Sequence, residues 1–476
     1  MTDKIPNENQ SAAIAAFKAF MADPEQRLFA LLGYAGTGKS FTTAALLRGL
    51  QARPPATDAD DEDGGLTRFR DLARGASMRE KVIATPTHKA TGVLRRFLDG
   101  ENIPYESGYD AYRHQMGTPI TGTTAALLGI RPLIVEDQTA DKQTFGDAGS
   151  GGMLAKLGGR LGLVAIDEVS MLSAPQLELI SRQAEAVGAK VLVIGDPGQL
   201  PPVNAPAIQW DALQNVAVLE QIMRQSGESA IPHLAAAIRT GGNWQAVEGP
   251  GVDHFHNPAG AFIDELNGPP DLDETKRSVF IAYRNAVVNG VQEAACRKVY
   301  GHGRAEFAAG EVVVANRPLY IGMGGRKVAV VQNGDTVAVV EVVGQGEYGR
   351  VARFRHVDGR TFTAEFLAEQ DANDPHHPFN VAVRERARIA SGLQSDWAKN
   401  KHDSALDAQR KAAWASYFEL RDGTLVGLSH LFAITSHKSQ GSSYGVAFVD
   451  ASDLAALGRN GLYVAATRPR EELIIG

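Results

Sequence analysis

Between the apolar run Leu28-Phe29-Ala30-Leu31-Leu32 and the helical pattern Phe41 to Leu50 lies Gly33-Tyr34-Ala35-Gly36-Thr37-Gly38-Lys39-Ser40. These eight residues match G-x-x-x-x-G-K-[S/T] in the strand–loop–helix setting that the pattern needs. The glycines allow backbone N–H groups to approach an anion, and a helix beginning at the loop adds the positive end of its dipole. Lys39 is placed to hold β- and γ-phosphates and Ser40 to ligate Mg²⁺. A chain built around such a loop is expected to be an α/β protein with a parallel sheet, and to bind ATP with Mg²⁺.

Further short apolar runs fit that class. Val82-Ile83-Ala84, Leu163 to Ile166 and Val191 to Ile194 read as buried strands, alternating with helical patterns such as Ala174 to Val187. A second set follows at Val279 to Ala282, Val446 to Val449 and Leu473 to Ile475. Two α/β sheets are therefore expected, the second interrupted by residues 310–424. The start of that insert is β-rich (Glu311 to Ala315, Thr336 to Val343, Val351 to Val357, Thr361 to Phe366), with turns at Asn333-Gly334-Asp335 and Asp358-Gly359. A small barrel or curled sheet is expected there. Residues 383–420 then read as helical, with Trp397, Trp414, Tyr417 and Phe418 as apolar anchors. The acidic run Asp58 to Asp63, the Gly-rich stretch Gly146 to Gly159 and the stretch Asp371 to Pro378 read as loops. His376 and His377 belong to the last, and no further metal-ligand set is legible around them.

Two more motifs bear on chemistry. Asp167-Glu168 ends the run Leu163 to Ile166. An acidic residue at a strand end beside a phosphate loop can hold Mg²⁺, and the next carboxylate can orient and deprotonate the attacking water. Gly195-Asp196-Pro197-Gly198-Gln199-Leu200-Pro201-Pro202 follows the next apolar run; Gln199 there either senses a γ-phosphate or belongs to an ordinary Pro/Gly turn.

The order of segments resembles superfamily 1 helicases, and more narrowly their 5′→3′ branch of RecD/Dda-like DNA helicases. It runs Gln10, Gly33–Ser40, Thr85-Pro86-Thr87-His88-Lys89-Ala90, Asp167-Glu168, Gly195–Pro202, Arg224, Thr435-Ser436-His437-Lys438-Ser439-Gln440-Gly441 and Tyr463-Val464-Ala465-Ala466-Thr467-Arg468. The resemblance implies two RecA-like P-loop lobes, with a small hairpin insert in the first and a β-barrel plus helical arm inserted in the second. The implied boundaries are 1–225 for the first lobe, with a strand-separating hairpin at about 131–160; 226–309 and 425–476 for the second; and 310–424 for the insert. It implies that Gln10 reads adenine and that Gln199 couples the γ-phosphate to the DNA track. It makes Arg224 and Arg468 the arginines that stabilise charge in phosphoryl transfer, beside Lys39, Asp167 and Glu168. Gly33, Gly36, Thr37, Gly38, Lys39, Ser40, Phe41, Gln440 and Gly441 would line the nucleotide. Pro86, Thr87, His88 and Lys89, with Thr435 and His437, would grip a strand by its phosphates. His88 and His437 also suit ordinary helix starts, and Lys89 and Lys438 ordinary solvated charges. Phe145 either stacks on the base pair being opened or packs beneath its own hairpin. The family's Thr-x-His in the next DNA-contacting motif is missing here, where Thr123-Thr124-Ala125-Ala126 stands.

The expected partners are single-stranded DNA and single-strand/duplex junctions, with a single-strand-binding protein or replication and recombination proteins as accessories, and the chain is expected to act as a monomer. A net charge of −7 is unusual for a protein that coats nucleic acid, so basic residues are expected in one groove. Nothing approaches the ~18 apolar residues of a membrane span. Cys296 is the single cysteine, which excludes intramolecular disulfides and cysteine-based zinc sites. Both suit the cytoplasm of a bacterial or phage-infected cell. The rival readings are an RNA helicase of the same superfamily, an ATPase subunit of a recombination complex, and a small-molecule P-loop kinase.

Overall fold

The structure, a computed structural model, describes residues 6–51, 79–108, 114–130, 152–221, 229–323 and 326–476. Arg224, Phe145 and the acidic run Asp58–Asp63 lie outside these. The described chain forms two units: residues 6–130 and 152–251 with Gly458–Thr467, and Val252–Leu457 with Arg468–Gly476.

The first unit is built on seven strands: β1 (Leu28–Gly33), β2 (Glu80–Thr85), β3 (Glu106–Ser107), β4 (Ile120–Thr123), β5 (Leu161–Ile166), β6 (Lys190–Gly195) and β7 (Val216–Leu219). All are parallel, in the order β3-β4-β2-β5-β6-β1-β7. Successive side chains point to opposite faces, and both faces are covered. Ala30, Leu32, Val82, Ala84, Val164, Ile166, Val191 and Val193 enter one core. Phe29, Leu31, Ile83, Leu163, Ala165, Leu192 and Ile194 enter the other. Double coverage is why these strands read as unbroken apolar runs and not as alternating ones. The edge strand β3 and its neighbour β4, Ile-Thr-Gly-Thr, carry no such run.

Helix Glu8–Ala22 starts at a capping box between Asn7 and Gln10. It ends where the Lys190 ammonium donates to the carbonyls of Phe20, Asp23 and Gln26. Helix Ala174–Ala186 begins with a second capping box, Ser173 with Gln176. In the stretch expected to hold a hairpin, the described part is helical. Met153–Leu157 buries Met153, Leu154 and Leu157 at helical spacing and passes through a 3₁₀ turn, Gly158–Arg160, into β5. Two helices expected in the second lobe, Ile231–Thr240 and Gly458–Ala466, belong to the first unit and pack on each other there.

The second unit has a parallel sheet made of β8 (Val252–His254), β9 (Ser278–Ala282), β17 (Ala433–Thr435), β18 (Tyr444–Val449) and β19 (Pro469–Ile475), in the order β17-β9-β18-β19-β8. Between β9 and β17 the chain forms a closed barrel from β10 (Val312–Ala315), β13 (Thr336–Gln345), β14 (Arg350–His356), β15 (Thr361–Ala368) and β16 (Leu425–His430). A two-stranded ribbon, β11 (Leu319–Met323) with β12 (Arg326–Val331), projects between β10 and β13. The barrel extends past 424 because closure needs β16, which pairs antiparallel with β10 and parallel with β15; without it both edges would stand open. The helical arm is a hairpin of Pro378–Lys399 and Ser404–Gly423. Arg410 joins its two halves, bonding Gln394 at 3.0 Å and lying 4.5 Å over the Trp397 ring. His377 caps the first of these helices.

Candidate nucleotide site and strand-contact segments

The phosphate loop leaves β1, an interior strand between β6 and β7, and ends in helix Lys39–Gln51. Gly36 and Gly38 both have φ of +82°, which glycine adopts without strain. Gly33 is required for a different reason: a Cβ there would lie 2.7 Å from Thr37 Oγ1 and 3.0 Å from Leu219 Cβ. Thr37 is buried, and its hydroxyl donates to the Tyr34 carbonyl at 2.8 Å. Ser40 is exposed in the helix's first turn and Phe41 is half-buried. The Lys39 ammonium folds back onto its own loop, donating to the carbonyls of Gly33 at 2.6 Å and Tyr34 at 3.1 Å. It also lies 3.9 Å from the Asp196 carboxylate.

Asp167 and Glu168 stand at the carboxyl end of β5, two strands away in the same sheet. Burial, and then the neighbouring Glu168 charge, push the Asp167 carboxyl up to about 7, while the Glu168 amide and Lys39 pull the other way. A carboxylate in that state is short of a cation, and a carboxylate with a serine hydroxyl makes the hard oxygen donor set that Mg²⁺ takes. Asp167 and Ser40 therefore fit the ion. Glu168 sits at φ 53°, ψ 39°, a left-handed conformation that is uncommon for a residue with a Cβ and that clusters at functional sites.

Gln199 is buried, with its Oε1 3.5 Å from the Ser170 hydroxyl. Gln10 is buried as well. Its amide oxygen accepts from Asn7 N–H at 3.1 Å, and its amide nitrogen reaches the Thr37 carbonyl at 3.4 Å. The N-terminal helix is thus tied to the phosphate loop through the residue expected to read adenine.

Three further residues, Asp196, Tyr463 and Arg239, belong to this neighbourhood. Asp196, fully buried, accepts from Gly198 N–H at 2.9 Å and from the Tyr463 hydroxyl at 2.8 Å. That same hydroxyl accepts from Ala35 N–H at 2.8 Å. The Arg239 guanidinium lies 3.5 Å over the Tyr34 ring, a cation–π contact. Asp196 could have been suspected as an ionisable group closing an apolar strand. Tyr463 and Arg239 carry no local signal.

The segments expected to grip a strand share one local design. After β2, Thr87 caps helix His88–Gly100 by accepting from Ala90 N–H at 3.1 Å, and His88 is exposed beside half-buried Pro86 and Lys89. After β17, in the second unit, Thr435 caps a short turn by accepting from Lys438 N–H at 3.3 Å. Burial lowers the His437 imidazole below its ordinary value, and its ring lies 6.3 Å from that of Tyr283. Each segment is a strand end, a threonine cap and an early histidine. Lys438 is exposed and pairs with Glu369 at 3.5 Å. Also in the second unit, Gln440 is buried, Gly441 has φ +72°, and buried Arg468 donates to the Ser442 carbonyl at 3.2 Å.

Residues 6–250, more than half the chain, match the family described as AAA domain. Residues 430–475 match the UvrD-like helicase C-terminal domain. An uncharacterized protein of Acanthamoeba polyphaga mimivirus is 25% identical over 244 residues, which are 50% of this chain and 42% of that protein; the chain thus spans under half of that relative's length. Among solved structures, that of two coordinating Pif1 helicases on forked double-stranded DNA aligns with a TM-score of 0.50 at 16% identity, over 99% of this chain and 92% of that one. Pif1 helicase from Bacteroides, in complex with ADP-AlF3 and single-stranded DNA, aligns at 0.48 and 15% identity over the same shares. At such identities the first of these likenesses speaks to fold, two P-loop-type sheets with a barrel in the second. By the match over its phosphate-loop half, this chain belongs to the AAA domain family.

Proposed function

We propose that this chain is an ATP-driven helicase that moves 5′→3′ along single-stranded DNA and unwinds the duplex ahead. The observation that carries the reading is the pairing of a complete phosphate loop with the Asp167-Glu168 step in one sheet. Lys39 holds the β- and γ-phosphates, Ser40 and Asp167 hold Mg²⁺, and Gln10 contacts adenine. Bound Mg²⁺ would neutralise charge on the β- and γ-phosphate oxygens. Glu168 accepts the proton of the attacking water as its oxygen bonds to the γ-phosphorus and ADP leaves. Arg224 and Arg468 stabilise the charge that spreads over the transferring group, and Gln199, Gln440 and Gly441 face the nucleotide. Pro86, Thr87, His88, Lys89, Thr435 and His437 contact the strand through its phosphates, which serves a motor that must not depend on sequence. Phe145 meets the base pair at the junction.

The RecD/Dda-like placement and the polarity rest on the order of motifs. DNA as the track rests on the same order and on the likeness to the two coordinating Pif1 helicases on forked double-stranded DNA. The protein acts as a monomer in the cytoplasm; among the described residues no helix is long and apolar enough to cross a membrane. Strand displacement on duplexes with a 5′ tail, a 3′ tail or none tests the reading, with matched RNA as a further arm. Displacement confined to the 5′-tailed DNA is expected, and Lys39→Ala should abolish both it and ATP hydrolysis. A preference for the 3′ tail refutes the polarity, and a preference for RNA refutes the track. No displacement on any substrate refutes the helicase, and ATP turnover retained by Lys39→Ala refutes the site.

A further inference from the structure

Helix Gly458–Ala466 reaches two loops of the first unit from one face. Asn460 donates to the Gln199 carbonyl at 2.9 Å. Three residues on, which is the same face of a helix, the buried Tyr463 hydroxyl lies between Ala35 N–H and Asp196 Oδ2, 2.8 Å from each. The fit against the second loop is close, since a Cβ on Gly198 would come within 3.0 Å of the Tyr463 ring.

Asp196 has no exposed surface, and its two oxygens are served by different groups. Oδ1 takes Gly198 N–H and Oδ2 takes the Tyr463 hydroxyl. A buried carboxylate must be served by donors. The Lys39 ammonium lies 3.9 Å from the same Oδ2. That distance falls short of a direct hydrogen bond, and Lys39 instead donates to two loop carbonyls. The loop carbonyls are neutral acceptors, which an incoming phosphate displaces more readily than it would a carboxylate.

We propose that Tyr463 is a positioning residue of the nucleotide site: its hydroxyl occupies Asp196 Oδ2, so that Asp196 does not capture Lys39 in a closed ion pair, and Lys39 stays available to the nucleotide's phosphates. The Ala35 amide fixes the direction of this hydroxyl. By donating to the oxygen it leaves the hydroxyl's one proton for Asp196. The inference rests on the reading of Lys39 as the phosphate-binding lysine.

The test is a double-mutant cycle on the full chain, read as the Kd of a fluorescent ADP analogue. Losing a hydrogen bond to a charged group and trapping Lys39 together predict that Tyr463→Phe raises Kd about tenfold. In an Asp196→Asn background no carboxylate remains to trap Lys39, so Tyr463→Phe is expected to raise Kd by less than about twofold. An equal rise in both backgrounds means that Tyr463 acts by packing alone and overturns the proposal, as does no rise in the first. If Tyr463→Phe does not fold, the rate of Lys39 acylation by acetic anhydride is read by mass spectrometry in Asp196→Asn and wild type. Rates within about twofold of each other are expected, because Lys39 is not held by Asp196 at the outset; a severalfold increase overturns the proposal. Lys39→Ala separates the underlying reading: unchanged binding by that variant refutes Lys39 as the phosphate-binding residue, whatever the cycle shows.

Discussion

Glu311 is the residue whose removal should most disturb the second unit. It stands immediately before β10, where the chain enters the barrel, and is 1% exposed. One carboxylate oxygen meets His302 Nε2 at 2.5 Å and the other meets His430 Nε2 at 2.9 Å. His430 is the last residue of β16, where the chain leaves the barrel, and its ring stacks on Phe307 at 4.7 Å and 4°. A buried carboxylate thus ties the entry strand, the exit strand and the loop after helix Asn285–Tyr300. In His302 the other ring nitrogen meets the Gly303 carbonyl at 3.0 Å, so both nitrogens face acceptors. Burial lowers the His302 pKa, but Gly303 and Glu311 together outweigh it and hold the imidazole above its ordinary value.

Glu311→Gln keeps the shape and removes the charge. The glutamine NH₂ must face one of the two histidine N–H groups, and His302 loses its counter-charge. Breaking a buried pair in this way costs about 3–5 kcal/mol. For a unit of this size that is a fall of roughly 10 °C in its thermal transition, to be followed by calorimetry of wild type and variant across pH. The sign follows from His302. A histidine whose folded pKa is raised gives stability that is fully present below its unfolded value, near 6.5, and that is lost as pH rises through the raised value. The gap between wild type and variant should therefore be widest in mild acid and should narrow in mild alkali. A gap under about 0.5 kcal/mol, the size of an ordinary surface substitution, that is flat with pH would refute the argument.

Lys190→Met removes the ammonium that lies 4.5 Å over the Phe20 ring and donates to three carbonyls at the end of helix Glu8–Ala22; a loss of about 2–3 kcal/mol by urea unfolding is expected, and a loss below about 0.5 kcal/mol would mean that water replaces the ammonium at about equal worth. Gly33→Ala must push a methyl group against Thr37 and Leu219, and the shifted loop should bind the ADP analogue at least about tenfold more weakly. Gly290→Ala, where an added Cβ meets nothing within 4 Å, is its control, and equal binding by both variants would show that the close approach at Gly33 is not needed.

What the sequence reveals divides by how far apart the interacting residues lie. The phosphate loop is legible because its glycines, Lys39 and its helix are contiguous, so one stretch of chain carries the whole local geometry. The central strands β1, β2, β5 and β6 are legible because each carries an apolar run that is covered on both faces. β7, Val-Ala-Val-Leu, is apolar as well, but a run of four residues does not by itself mark a strand. β16 falls beyond the expected boundary at 424 because barrel closure is a property of two edges meeting, and a strand alone carries no mark of which sheet it closes. Helix Gly458–Ala466 shows the same limit at the site itself. Its motif points to Arg468, two positions beyond its end, while the side chain that touches the phosphate loop is Tyr463, 428 residues from Ala35. Only a fold that returns the chain to the first unit brings that hydroxyl to Asp196. The chain then passes from the first unit to the second between Thr467 and Arg468. Tyr463 and Arg468 therefore lie five residues apart on one continuous segment, the first bonded to the phosphate loop and the second buried in the other unit. A contiguous motif can serve both units because its helix is anchored in one and its final arginine in the other.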